Sequence, residues 1–360
     1  MGIKFLQTSD WHLGTKMVSF PKDVADSWRT QAASSLNSII KSAIEEDVQL
    51  IFLPGDLFDN VRPSEKIKAV LRGILRQIPE TVKVFVNPGT HDYYVSNGLW
   101  DDPDFSKINV FRSGGFSSIY LEDLNVEIWG VPVLKGNRDE NWLANPPELN
   151  PERMNILLYH GDYRGTGREY DKWDFPFELS HLENAGFDYV ALGHHHKAKF
   201  IKSTDRTLAG YSGSPVGWSY RKSELSDRYF VTGEVSKQVV RVELRTVECN
   251  RIYNYTVNLS NPVETGDILE EIDDLKSGDI LRLMVSGKDY SGFRLRIDEI
   301  SKNFRFIEFI EVDGEDDRIN PSDNYHLKYL IEKLEENWKK GDIDEDFYKR
   351  LVDRALRVFS

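Results

Sequence analysis

Along the first hundred residues, short runs of consecutive or alternating apolar side chains give way to longer stretches in which apolar positions recur every three or four residues. The short runs are Lys4–Thr8, Val48–Leu53 and Val82–Val86; the longer ones are Arg29–Glu46 and Ser64–Ile78. A period of two marks a strand and a period near 3.6 marks a helix, so their alternation predicts an α/β layer structure. Beyond residue 105 the helical period fades. Strand-like runs follow one another at Ile108–Phe111, Ser118–Leu121, Val126–Trp129, Asn155–Tyr159, Tyr189–Leu192, Lys199–Lys202, Thr207–Tyr211, Arg228–Glu234 and Val239–Val247. The expectation for residues 1–250 is a mixed β sandwich with helices outside.

Near Asn250 the pattern resets. Asp279–Val285 and Arg305–Val312 read as strands around a helix at Tyr290–Asn303, a small βαβ-like α+β domain over residues 251–313. Residues 314–323 are charged and turn-rich and read as a linker. Helical spacing then returns in Leu327, Leu330, Ile331, Leu334 and Trp338, and again in Phe347, Leu351, Val352, Leu356 and Phe359. Residues 324–360 are therefore expected to form a helical hairpin, too small to bury both its apolar faces by itself. It would pack on the preceding domain or on a partner.

Charge narrows the partners. The 360 residues carry 46 Lys or Arg against 59 Asp or Glu, a net charge of −13, and residues 251–360 alone hold 17 basic and 25 acidic side chains. That balance argues against a broad basic face for nucleic acid but leaves room for a local groove. A single cysteine, Cys249, cannot make an internal disulfide, and the first residues run straight into a strand without a leader-like pattern. A cytoplasmic protein is expected. No run approaches the roughly 18 apolar residues of a membrane span, so no membrane partner is expected.

Six of the eight histidines, His12, His91, His160, His194, His195 and His196, fall just after strand-like segments. They sit in Asp10-Trp11-His12, Gly89-Thr90-His91-Asp92, Tyr159-His160-Gly161 and Gly193-His194-His195-His196, and a further piece, Gly55-Asp56-Leu57-Phe58-Asp59, follows the second strand. Loops leaving the carboxyl ends of strands are where sites assemble in α/β sheets. Each piece alone also reads as a turn or a helix cap. In the last one, alternation would turn His194 and His196 one way and His195 the other.

Taken together and in this order, the pieces resemble the calcineurin-like metallophosphoesterase family, with its DxH, GDxxD, GNH[DE], lone His and GHxH motifs. The variants Thr8-Ser9-Asp10-Trp11-His12-Leu13-Gly14 and Tyr211-Ser212-Gly213-Ser214-Pro215 look most like the double-strand-break repair nuclease subunits of the bacterial SbcD type. The resemblance covers roughly residues 1–250. It implies an α/β calcineurin-like β-sandwich flanked by helices, followed by a DNA-capping domain and a hairpin, and a DNA exonuclease and endonuclease using two divalent cations, most readily Mn. Asp10, His12 and His196 would hold one cation, and Asp56 would bridge to a second held by His160, His194 and Thr90. His91 would protonate the leaving oxygen or steady the phosphate, with Asp92 orienting it. The implied partners are DNA, an SMC-like coiled-coil ATPase bound through residues 324–360, and a second copy of the chain.

Two positions depart from the pattern. Thr90 stands where the family has an Asn whose amide oxygen is a ligand, so the second cation is expected to bind more weakly, unless a water held by the hydroxyl replaces that oxygen. Asp59 stands where many of the repair nucleases have a His near the scissile phosphate, and reads as a substrate contact or as a turn residue. Arg164, Lys197 and Lys199, with Arg168, Lys202, Arg221 and Lys222, form local basic clusters that fit DNA phosphates or a solvated surface. Tyr93, Tyr94 and Trp100 are candidates for base stacking or for core. Alternative functions are hydrolysis of small or cyclic-nucleotide phosphodiesters, a phosphoprotein phosphatase, and a scaffold with a weakened metal site.

Overall fold

The structure, a computed structural model, describes residues 2–166, 174–202, 207–225, 227–259, 278–286 and 305–311, together with residues 272, 275, 348 and 349. The helix expected at 290–303 and the linker at 314–323 lie outside the described residues, as does the hairpin at 324–360 apart from residues 348 and 349. The chain divides into two compact units. The first gathers Met1–Thr15, Trp28–Gly217 and Asp227–Cys249, and the second gathers Lys16–Ser27, Trp218–Ser226 and Asn250–Ser360.

Among the described residues the first unit has twelve strands: β1 (Ile3–Gln7), β2 (Leu50–Leu53), β3 (Lys83–Val86), β4 (Asn109–Val110), β5 (Ser117–Leu121), β6 (Val126–Gly130), β7 (Met154–His160), β8 (Tyr189–Gly193), β9 (Lys199–Lys202), β10 (Leu208–Tyr211), β11 (Tyr229–Val235) and β12 (Val240–Thr246). They form two six-stranded sheets, in the orders β12-β11-β1-β2-β3-β4 and β5-β6-β7-β8-β10-β9. The neighbours β1, β2, β3 and β4 run parallel, as do β6, β7, β8 and β10. Every residue of β2 and β7 is buried, the continuous apolar pattern of strands covered on both faces.

The two-residue period sorts these side chains between layers. Phe5, Leu50, Phe52 and Phe85 meet Ile128, Ile156, Leu158, Tyr189 and Ala191 between the sheets. Their neighbours Leu6, Ile51, Leu53, Val84 and Val86 face the opposite way and pack with Leu36, Ile39 and Ile40 of α1 (Lys22–Glu45) and with Leu71 and Ile74 of α2 (Glu65–Leu75). Outside the second sheet, Leu157, Tyr159, Val190 and Leu192 pack on Leu182 of α3 (Leu179–Ala185). The sandwich flanked by helices is the fold expected.

Two helices differ from the reading. Helix α1 starts at Lys22, not Arg29: Pro21 precedes its first turn, and buried Val24, Ala25 and Trp28 extend its apolar stripe. Helix α3 was not expected, since seven residues are too few to show a period. A capping box of Glu178 and His181 opens it and Gly186, at φ 73°, closes it.

The second unit contains a three-stranded parallel sheet, β13 (Ile252–Asn258), β14 (Ile280–Ser286) and β15 (Phe306–Glu311), in that order. Strand β13 was not expected. Val257, Leu281, Leu283 and Val285 form its small core. On the register row Asn254, Arg282, Glu308, the Arg282 Nε–H donates to Glu308 Oε2 at 2.7 Å and the guanidinium lies 3.5 Å above the Tyr220 ring.

Candidate metal centre

The loops that leave β1, β2, β3, β7, β8 and β10 share one edge of the sandwich, and hydrogen bonds between the sheets hold them there. The Gln7 amide donates to Leu192 O at 3.1 Å and Gly210 O at 2.7 Å, and the Ser9 and Ser212 hydroxyls meet at 3.1 Å. Each loop supplies part of the cluster.

The Asp56 carboxylate lies at the centre. Its Oδ1 accepts the His91 main-chain N–H at 2.8 Å. Its Oδ2 accepts the Thr90 hydroxyl at 3.2 Å and lies 3.4 Å from His160 Nε2 and 3.8 Å from His12 Nε2. Three donor sets meet around it among the described residues: Asp10, His12 and His196; His12, Asp56 and His91; Asp56, His160 and His194. A fourth, Asp162, Asp174 and His194, shares only His194 with them. In each set, one possible ligand atom per residue lies within 4.8 Å of the others. Asp10 accepts the Ser9 hydroxyl at 2.5 Å and the His194 main-chain N–H at 3.0 Å.

The close packing depends on glycine. A Cβ on Gly55, itself at φ 90°, would stand 2.5 Å from His160 Nδ1, and one on Gly89 would stand 2.3 Å from Asp56 Oδ1. Four of the ligand candidates also have left-handed backbone: Asp10 (φ 55°), His12 (φ 45°), Asp56 (φ 52°) and His194 (φ 103°). The last of these breaks the strand alternation expected beyond Gly193. His195 joins none of the three sets, yet its Nε2 lies 3.2 Å from Asp162 Oδ1, which His194 Nε2 also approaches to 3.3 Å.

Neighbouring groups select the free nitrogen of each ring. His160 Nδ1–H donates to Pro54 O at 2.9 Å, leaving Nε2 toward Asp56. His12 Nδ1 lies 3.6 Å from Asp59 Oδ1, while its Nε2 faces His196 Nε2 at 3.0 Å. Two N–H groups would repel at that distance, so this pair and the carboxylates beside it fit a cation. The mixed carboxylate and imidazole set suits Mn, Fe or Zn better than Ca or Mg.

The charges are strongly coupled. Burial opposes protonation of His160 and His12, but Asp56 and Asp10 outweigh it at His160, and Asp59, Asp56 and Asp10 do so at His12, raising the two to about 10 and about 9. Asp56 goes the other way: burial opposes its charge, and the imidazoles of His160, His12 and His91 hold it well below the usual carboxylate range.

Asp92 does not orient His91. Its Oδ1 accepts the amides of Gly89 (2.8 Å) and Asp56 (3.2 Å), and its Oδ2 those of Leu57 (2.8 Å) and Phe58 (3.2 Å), tying the second and third loops together. Burial and the nearby charge of Asp56 push it up to about 6 against the pull of those amides. Asp59 is the neighbour of His91 instead: His91 Nδ1–H donates to Asp59 O at 3.2 Å. Asp59 Oδ1 also takes the Thr15 hydroxyl at 3.1 Å, which makes it a support for the two histidines.

Residues 3–198, more than half of the chain, match the calcineurin-like phosphoesterases. The chain belongs to that family. Its class of chemistry is phosphoester hydrolysis, and the family fold carries donor sets that can bind two metals. Among relatives, an uncharacterized metallophosphoesterase of Bacillus subtilis, YhaO, is 25% identical over 250 residues, 66% of this chain and 60% of its own. The DNA double-strand break repair protein Mre11 of Saccharolobus solfataricus is 26% identical over 219 residues, 59% of this chain and 54% of its own. The chain thus spans less than two thirds of either relative. A solved dimetal phosphatase from Danio rerio is 10% identical with a TM-score of 0.45, over 68% of this chain and 96% of its own.

The remaining expected contacts fall in different places. Lys197 and Lys199 are exposed, with Lys199 Nζ 5.3 Å from the Tyr163 ring centre, and Arg164 lies 4.0 Å from Glu178. Arg221 and Lys222 belong to the second unit, and Arg168 lies outside the described residues. Trp100 is core, its Nε1–H donating to Asp92 O at 2.5 Å, and the half-buried Tyr94 packs against that core with its hydroxyl donating to Asp101 Oδ2 at 3.1 Å. Sequence reasoning missed Asp162 and Arg138. Asp162 stands two residues after the lone histidine, whereas Arg138, which donates to Thr90 O, is far from the motifs in the chain. No helix among the described residues is long and apolar enough to cross a membrane.

Proposed function

We propose that this phosphoesterase is a two-metal DNA nuclease, Mn-dependent, acting as exonuclease and endonuclease. The observation that carries the reading is Asp56 Oδ2, placed between His160 Nε2 and His12 Nε2 at 3.4 and 3.8 Å, so that one carboxylate oxygen serves both donor sets. Asp10, His12 and His196 would hold one cation, and Asp56, Thr90, His160 and His194 the other. Bound there, two cations would make an attacking water acidic near neutral pH and neutralise charge on the phosphate oxygens.

The chain's own residues supply the rest. His91 stands at the open side of the cluster, its side chain 49% exposed and its ring edge-on to His12. With Nδ1–H fixed on Asp59 O, Nε2 is the atom that gives a proton to the leaving oxygen. Arg164, Lys197 and Lys199 would draw the DNA backbone toward this edge. The archaeal relative named for double-strand break repair supports DNA as the substrate. The helical spacing of apolar residues in the sequence of 324–360, Trp338 and Phe347 among them, supports an SMC-like ATPase as the partner, and the reading takes the nuclease as a cytoplasmic dimer. The net charge of −13 favours a second reading, hydrolysis of small phosphodiesters.

The test uses purified full-length protein with linear duplex, plasmid and a small chromogenic phosphodiester, across a range of Mn. The expected result is Mn-dependent cleavage of DNA that Asp56→Asn removes. Hydrolysis of the small diester with DNA left intact would refute the nuclease reading.

A further inference from the structure

Outside the donor sets assigned above, one buried carboxylate points at a ligand candidate. Asp162 is 6% exposed. Its Oδ2 accepts the main-chain N–H of Asp174 at 2.9 Å, so the side chain is anchored on one oxygen. The other oxygen faces His194 Nε2 at 3.3 Å and His195 Nε2 at 3.2 Å. The His195 ring is itself lodged edge-on against Tyr211, 4.7 Å between centres, and the Tyr211 hydroxyl donates to Gly161 O at 2.7 Å.

An imidazole has two nitrogens, and here one of them is engaged. If His194 Nε2–H donates to Asp162, the nitrogen left for the set with Asp56 and His160 is Nδ1. That choice is opposite to His160, whose Nδ1–H is fixed on Pro54 O, and to His12, whose Nδ1 faces Asp59. The His194 ring, just past β8 at φ 103°, stands edge-on to the His160 and His195 rings at 5.1 and 5.6 Å between centres, and the carboxylate adds the acceptor that decides which of its nitrogens carries the proton.

We propose that Asp162 is a positioning residue for the second cation: it holds His194 in the tautomer that ligates through Nδ1 and increases the basicity of that nitrogen. The inference rests on the two-metal reading and deepens it. A carboxylate behind a ligating histidine is worth about 10 to 100-fold in metal affinity. In this chain that support falls on the site where Thr90 stands in place of an amide ligand.

The experiment is calorimetric titration of the metal-free full-length protein with Mn, wild type against Asp162→Asn, with unfolding curves to confirm that the variant folds. Two ions are expected on the wild type. In the variant the weaker site should lose about 10 to 100-fold in affinity while the tighter one is unchanged. Equal affinities at both sites would overturn the inference and leave the two-metal reading intact; fewer than two ions on the wild type would overturn both. A third ion, held by Asp162, Asp174 and His194, would show that the carboxylate is itself a ligand and would also overturn the inference. Histidine-selective nitrogen NMR of the Zn-loaded wild type gives a measurement that needs no variant. One ligating imidazole should be bound through Nδ1 with a hydrogen-bonded Nε2–H. Ligation exclusively through Nε2 would refute the proposal.

Discussion

Gly89→Ala tests the packing on which the whole centre depends. Gly89 does not have a positive φ, so alanine is conformationally acceptable there and the effect is steric. Its Cβ would stand 2.3 Å from Asp56 Oδ1, 2.6 Å from the Asp56 main-chain N and 2.8 Å from His160 Cε1. Such contacts are not tolerated, so Asp56 must move, yet His91 N–H at 2.8 Å and the Thr90 hydroxyl at 3.2 Å hold it in place. Overpacking costs about 1–3 kcal/mol, and losing one hydrogen bond to a charged group about 1.5–3 more, a total of about 2.5–6 kcal/mol. Under the two-metal reading, displacing this carboxylate should also cost affinity at both metal sites. Denaturant unfolding of the metal-free protein and Mn calorimetry measure the two effects. A Gly89→Ala protein within about 1 kcal/mol of wild type that binds two Mn with unchanged affinity would refute the account of Asp56 as the fixed centre.

Thr90→Asn restores an amide oxygen beside Asp56 and His160, and should tighten the second Mn site while raising activity most at low Mn; indistinguishable second-site affinities would refute this. Asp92→Ala should increase hydrogen exchange at Leu57 and Phe58 but leave the NMR resonances of the His91 ring in place, whereas an orienting role would shift them. His12 and His160 are raised above their ordinary value, to about 9 and about 10, so near pH 7.5 the metal-free site holds their protons and Mn must displace them. Calorimetry in buffers of different ionisation enthalpy should show proton release on binding. By the same sign, their contribution to metal-free stability is complete below pH 6.5 and is lost as the pH rises through 9 to 10, which thermal unfolding across that range would reveal.

Much of this was legible in the chain. Motifs that end strands, such as Asp10-Trp11-His12 and Gly55-Asp56, carry their placement with them, because a parallel strand delivers its last residues to one edge of the sheet. Buried runs such as Ile51–Leu53 announce strands through composition alone. Partners that act through space left no comparable trace. Asp92 sits beside His91 in sequence, but its carboxylate is turned to the amides of a loop more than thirty residues away. The expected alternation at 194–196 assumed a strand that ends one residue earlier, at Gly193. Strand β13 escaped because Tyr253, Asn254 and Tyr255 mix polar and aromatic side chains on a sheet whose small core blurs the period of two.

The left-handed backbone at Asp10, His12, Asp56 and His194 sets up a conflict between two kinds of selection. Each non-glycine residue in that conformation costs on the order of 1 kcal/mol, and glycine at the same place would not. Folding alone therefore favours the loss of these side chains, and under the two-metal reading turnover is what retains them. Variants evolved for heat resistance without metal should drift toward glycine at 12 and 194, while the same search run on Mn-dependent activity should keep both histidines. Stability and catalysis pull on the same four backbone positions, so a thermostable form of this enzyme has to be sought elsewhere in the sandwich.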